Sequence, residues 1–158
     1  MSELPKGFLL NPINFAAFGF GSGCSPVAPG TAGTLVAVLL YYPLQGLSEF
    51  YYVAFIVAAF LLGVWLCGQA SNRLGVHDHG GIVWDEFVGY WITMIAAPPG
   101  WFWVLVGFGL FRLFDIWKPQ PIRLLDAKVS GGLGIMIDDV LAGVYALISL
   151  QALNAILG

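Results

Sequence analysis

Residues 80–91 read GGIVWDEFVGYW, and residues 134–145 read GIMIDDVLAGVY. Each places two adjacent carboxylates, Asp85–Glu86 and Asp138–Asp139, at the head of an apolar run. The rest of the chain makes this costly. It is 59% apolar and only 9% charged, where an ordinary soluble domain carries about 25% charged residues. Its mean hydropathy is +0.85. Such a chain cannot cover itself with polar surface, so lipid is the expected solvent. The fold class that follows is all-α: a polytopic membrane helical bundle.

The 158 residues suit one integral-membrane domain, with a Gly/Pro-rich lead-in over 1–33 and the helical bundle over 34–157. The first residues lack a basic stretch, an apolar core and a cleavage site, so no signal peptide is expected. Four to five membrane helices are predicted, over 34–48, 51–68, 86–98, 101–117 and 140–157. A full span needs about 20 apolar residues. The third segment is short, so it starts below the interface or fails to cross. Trp84, Trp91, Trp101, Trp103 and Trp117 lie near segment ends, where an aromatic belt is expected.

Charge orients the bundle. Lys6, Arg73, Lys118, Arg123 and Lys128 all fall on one side if five segments cross, and the positive-inside rule makes that side cytoplasmic. The same topology brings Asp78, Asp85, Glu86, Asp115, Asp126, Asp138 and Asp139 to that face. No basic block exists to follow a phosphate backbone, so nucleic acid is not an expected partner. Cys24 and Cys67 lack metal spacing and read as small buried hydrophobes. Nothing in the pattern specifies an oligomeric state.

Acids at helix N-termini gain about 0.3–1 kcal/mol each from the macrodipole, which accounts for one pair without any function. Two pairs gathered at one face repel, and without a cation some would hold protons. Mg²⁺ relieves this, because it takes oxygen ligands and is commonly held by one or two carboxylates plus substrate phosphate. The two stretches also echo one another: Gly-Ile, two apolar residues, two acids, with Gly89 and Gly143 each about a turn after Asp85 and Asp139. Small residues there let helices approach closely.

Other stretches join this face. In FRLFDIWKPQPIR (111–123), Arg112, Asp115 and Lys118 lie along one side of a helix that Pro119 ends. Arg112 and Asp115 either satisfy one another, or Asp115 serves metal or water while the basic residues meet phosphate. GFGSGCSPVAPGTAGTL (19–35) offers hydroxyls and backbone N–H groups suited to an anion; a plain Gly/Pro lead-in explains it equally. His77 and His79 flank Asp78 in what reads as a solvated loop, though His79 could contact phosphate or shuttle a proton. CGQASNR (67–73) fits the C-x5-R spacing of cysteine phosphatases, but it ends an apolar helix rather than wrapping phosphate after a strand, and is rejected.

Together SPVAPGTAGTL, GVHDHGGIVWDEFVG, FRLFDIWKPQPIR and GGLGIMIDDVLAG, in this order over nearly the whole chain, resemble phosphatidylglycerophosphatase A, a family of bacterial inner-membrane lipid phosphatases. The resemblance implies Mg²⁺-dependent removal of the terminal phosphate of phosphatidylglycerophosphate, at the cytoplasmic face of a multi-pass protein. Its acidic motif positions are Asp78, Asp85, Glu86, Asp115, Asp138 and Asp139; its basic ones are Arg112, Lys118 and Arg123; Thr31 and Gly33 come from the lead-in. Thr34 stands where Ser is common, which keeps the hydroxyl. The expected metal ligands are Asp85, Glu86, Asp138 and Asp139, and the expected catalytic carboxylates are Asp78, Asp85, Glu86, Asp115 and Asp139. Thr31, His79, Arg112, Lys118 and Arg123 are the expected phosphate contacts. The rival reading is a cation-coupled small transporter, whose carboxylates would sit near the bilayer midplane on broken helices.

Overall fold

Proline and glycine set the helix boundaries. The computed structural model describes residues 3–158, so the first two residues of the lead-in lie outside it. Pro12 opens α1 (Pro12–Ala17), with the Asn11 side chain accepting from the Ile13 N–H at 2.9 Å. Pro29 opens α2 (Pro29–Leu44) after Ala28 turns left-handed. Then follow α3 (Glu49–Leu74), closed by left-handed Gly75, and α4 (Trp84–Thr93). After Gly100 come α5 (Trp101–Trp117), α6 (Ile122–Lys128) and α7 (Gly131–Leu157). Two 3-10 turns, Phe8–Leu10 and Ser22–Cys24, complete the lead-in, and no strand occurs among the described residues. The expected all-α class holds.

Two helices are long and apolar enough to cross a membrane by length and composition. α3 has 26 residues and α7 has 27, with mean hydropathies of 2.3 and 1.9 in their most apolar windows. At 1.5 Å per residue each runs about 40 Å. Only 33% and 22% of those windows is buried inside the protein. Most of each apolar surface therefore faces outward, unlike the core helix of a soluble domain.

The expected third segment, 86–98, is corrected. Its helix is α4, 10 residues and about 15 Å long, half the thickness of a bilayer core. All ten residues are buried, so α4 forms the centre of the bundle. The following turn reaches the end opposite the acids, where Met94, Ala96 and Ala97 line a pocket with Tyr41, Gln45 and Glu49. α4 thus begins at mid-bundle, below the helix ends.

Aromatic hydrogen bonds fix α4 in place. The Trp84 indole donates to the Ala59 carbonyl at 3.0 Å and Trp91 to Ala37 at 3.1 Å. The Tyr52 hydroxyl donates to the Trp91 carbonyl at 2.6 Å, and Tyr90 to Val104 at 3.1 Å. Trp84 and Trp91 are buried, so they do not join an aromatic belt; Trp101 and Trp117, at the two ends of α5, are exposed. Trp103 is half-buried.

The echoed glycines form a helix crossing. A Cβ on Gly143 would lie 2.5 Å from the Gly89 carbonyl, and one on Gly89 would lie 2.8 Å from the Asp139 carbonyl. Only hydrogen at both positions lets α4 and α7 touch backbone to backbone. This contact brings the acid pair of one helix against that of the other.

Candidate active site

The acids do not all sit at helix entrances. Asp85 and Glu86 do begin α4, but α7 starts at Gly131, and Asp138 and Asp139 lie inside it, about 12 Å from its first residue. The expected fifth segment, 140–157, is corrected accordingly. α3 and α7 run on past the acids, whereas α2 begins and α5 ends within one to two turns of them. The acids consequently lie in a recess below the ends of the two long helices, formed by α4, α5, α7 and the start of α2. Loop 75–83 and the lead-in pack at its rim, with the Val83 N–H donating to the Ala17 carbonyl at 2.9 Å.

Two carboxylate triads meet there. Oxygens of Asp85, Asp138 and Asp139 lie within 4.8 Å of one another, and so do oxygens of Glu86, Asp115 and Asp139. Asp139 belongs to both. It is 2% exposed, and its Oδ2 has no hydrogen-bond partner. A buried, unpaired carboxylate oxygen is strongly disfavoured unless a cation completes it. The donor set is all oxygen, which suits Mg²⁺ rather than a soft metal. These residues fit the ion.

Basic residues line the same recess. Arg112 Nη1 donates to both Glu86 oxygens, at 2.9 and 2.8 Å, and to Asp115 Oδ2. Arg112 Nε is buried without a partner. Lys118 ends α5 in the left-handed conformation. Its ammonium donates to Asp138 Oδ2 at 2.8 Å and to Asp126 Oδ2 at 3.2 Å. Burial works against its charge, but those two carboxylates outweigh it and raise its pKa. Asp78, exposed on the loop and left-handed at φ 46°, has its carboxyl raised by desolvation from the surrounding protein, against the pull of Lys118.

Residues 15–154 match the family model for phosphatidylglycerophosphatase A. The chain belongs to the phosphatidylglycerophosphatase A family. A phosphatidylglycerophosphatase A of Escherichia coli (strain K12) is 51% identical over 137 residues, covering 86% of this chain and 80% of that protein. One from Haemophilus influenzae is 51% identical over 158 residues, covering 97% and 95%. A putative phosphatidylinositol-3-phosphatase of Bacteroides thetaiotaomicron is 40% identical over 148 residues, covering 89% and 92%. No solved structure matches.

Of the positions that the resemblance to phosphatidylglycerophosphatase A implied, Asp85, Glu86, Asp115, Asp138, Asp139, Arg112 and Lys118 come together. Arg112 and Asp115 pair with each other inside the acidic recess, as the first of their two readings expected. Arg123 is exposed on α6, with no ion pair among the described residues. Thr31 is half-buried in the first turn of α2. The solvated-loop reading of His79 is corrected: it is buried, Nδ1 accepts from the Gly81 N–H at 3.0 Å, and its ring lies 5.7 Å from that of Phe18. His77 does reach the surface, and its Nε2 accepts from the Gly131 N–H at 3.1 Å.

Three residues with no role assigned from the sequence also shape the site. The Thr34 hydroxyl lies 3.0 Å from Glu86 Oε2 and 2.9 Å from the Gly30 carbonyl. Gly30 has no room for a Cβ, which would press into Glu86 Oε1 and sit 3.1 and 3.3 Å from the Arg112 guanidinium nitrogens. Asp126 shares Lys118 with Asp138. The signal for the first two was the hydroxyl and glycine spacing of PGTAGT, which becomes a helix face only because α2 starts at Pro29.

Proposed function

We propose that this chain hydrolyses the terminal phosphomonoester of phosphatidylglycerophosphate, giving phosphatidylglycerol and inorganic phosphate, with Mg²⁺ held by Asp85, Asp138 and Asp139 beside Glu86. The observation that carries the metal reading is the buried, unpartnered Asp139 oxygen where two carboxylate triads meet. Family membership and two relatives bearing the name phosphatidylglycerophosphatase A support the reaction. They give no support to transport, the rival reading.

In this reading Asp85, Asp138 and Asp139 would hold the ion, which would supply Lewis-acid polarisation of the phosphoryl group and a more acidic water. Arg112, Lys118 and Arg123 offset the charge of the transferring phosphoryl group, with the free Arg112 Nε–H available to one of its oxygens. Thr31 on α2 supplies a further donor, and His79 holds the loop that carries Asp78. Asp78 takes a proton from the attacking water and returns it to the glycerol oxygen. One P–O bond forms to water as the P–O bond to glycerol breaks, so a free hydroxyl and phosphate leave.

In the same reading the recess opens toward the cytoplasmic face of a bacterial inner membrane, with Asp138 and Asp139 two turns below the start of α7. The chain would pass five times: α2, α3, α4 with the turn that follows it, α5 and α7. The diacylglycerol part then stays in the bilayer while only the headgroup enters.

The Bacteroides relative carries the name of a different lipid phosphatase, so headgroup choice is the point to test. Phosphate release would be measured in mixed micelles from phosphatidylglycerophosphate, phosphatidic acid and phosphatidylinositol 3-phosphate. A kcat/KM at least about tenfold higher on the first, worth about 1.4 kcal/mol, is expected. A preference for either other lipid replaces the substrate, and no release from any of them overturns the phosphatase reading.

A further inference from the structure

We propose that Arg112 is the site's built-in second cation: its guanidinium is held by Glu86 and Asp115, two of the three members of the Glu86–Asp115–Asp139 triad, so one divalent ion binds, at Asp85, Asp138 and Asp139. The inference rests on the metal reading above and concerns how many ions that reading allows. Two triads sharing a bridging carboxylate have the layout of a two-ion centre, in which metals lie about 3.5–4 Å apart. The second position is not open. Arg112 Nη1 touches both Glu86 oxygens and Asp115 Oδ2, so one nitrogen already holds three carboxylate oxygens as an ion would.

The surroundings are built for that nitrogen. Gly30 leaves the space that Glu86 and the guanidinium occupy, and buried Thr34 holds Glu86 from the other side. Arginine stays charged under all working conditions and offers a rigid planar fork, so it serves as a permanent cation where lysine would be a movable one. Lys118 provides the contrast at the first triad. It is more exposed, at 28% against 15% for the Arg112 side chain, and it divides itself between Asp138 and Asp126. It can yield Asp138 to an ion and keep Asp126. Asp139 Oδ2, the unpartnered oxygen, then has one ion to complete it, and Arg112 supplies the other positive charge facing the phosphate.

The test uses Mn²⁺ on the purified full-length protein in detergent, after metal removal with EDTA. Equilibrium dialysis is expected to give one Mn²⁺ per wild-type chain and two per Arg112→Met chain. Two ions in the wild type, or one in both wild type and Arg112→Met, overturns the inference while leaving the metal site standing. No binding to the wild type removes the metal reading itself. A second measurement needs no variant. At saturating Mn²⁺ the wild-type electron paramagnetic resonance spectrum is expected to show an isolated six-line ion, and a spin-coupled pair overturns the proposal.

Discussion

Asp139→Asn is expected to lower kcat on phosphatidylglycerophosphate by about 10³-fold, near 4 kcal/mol of transition-state stabilisation. Asparagine keeps the shape but removes the one charge common to both triads. It also removes an uncompensated buried carboxylate oxygen. The metal-free variant should therefore melt no lower than metal-free wild type, because a neutral amide is easier to bury than an unpaired anion. Loss of activity with retained or raised melting temperature separates a functional role from a structural one. A variant that loses both would make Asp139 a packing residue.

Gly30→Ala is expected to cut activity by about 10²-fold without altering a single charge. The added methyl must displace Glu86 and Arg112, and a shift of about 1 Å in a catalytic constellation costs rates of that order. Overpacking would add a stability cost of about 1–3 kcal/mol. Gly33→Ala is the control, because its Cβ would press on Val83, 2.7 Å away, and not on the acids. It should lower the melting temperature comparably and reduce kcat much less. Equal losses of kcat in the two variants would show that α2 contributes packing alone.

The sequence made the helical class legible because apolar periodicity and scarce charge leave few other folds. It also pointed to the Gly89–Gly143 approach, since the same small-residue spacing follows both acid pairs. It misjudged the depth of the site. Gly131–Ile137 reads as a loop leading to an acidic entrance, yet it is helical, so Asp138 and Asp139 lie two turns inside α7. Glycine-rich sequence disfavours a helix locally, but Gly132 packs where a Cβ would meet the Val64 carbonyl and Gly68 of α3, and that close contact outweighs propensity. Trp84 and Trp91 were misplaced for a related reason: indole N–H groups suit an interface, and here they find backbone carbonyls on α3 and α2 instead. The hydroxyls and glycines around Gly30 and Thr34 were legible, but their role against Glu86 was not, since that partner lies more than fifty positions away.

Removing the metal tests whether the buried carboxylates work through a divalent ion, as proposed. Phosphate release from phosphatidylglycerophosphate would be followed in detergent-purified protein stripped with EDTA, then titrated with Mg²⁺. Release that falls to background on stripping and returns on titration, with the fold unchanged by circular dichroism throughout, is the expected result. Release that continues undiminished in stripped protein would contradict the claim and leave the acids of the recess without a metal role.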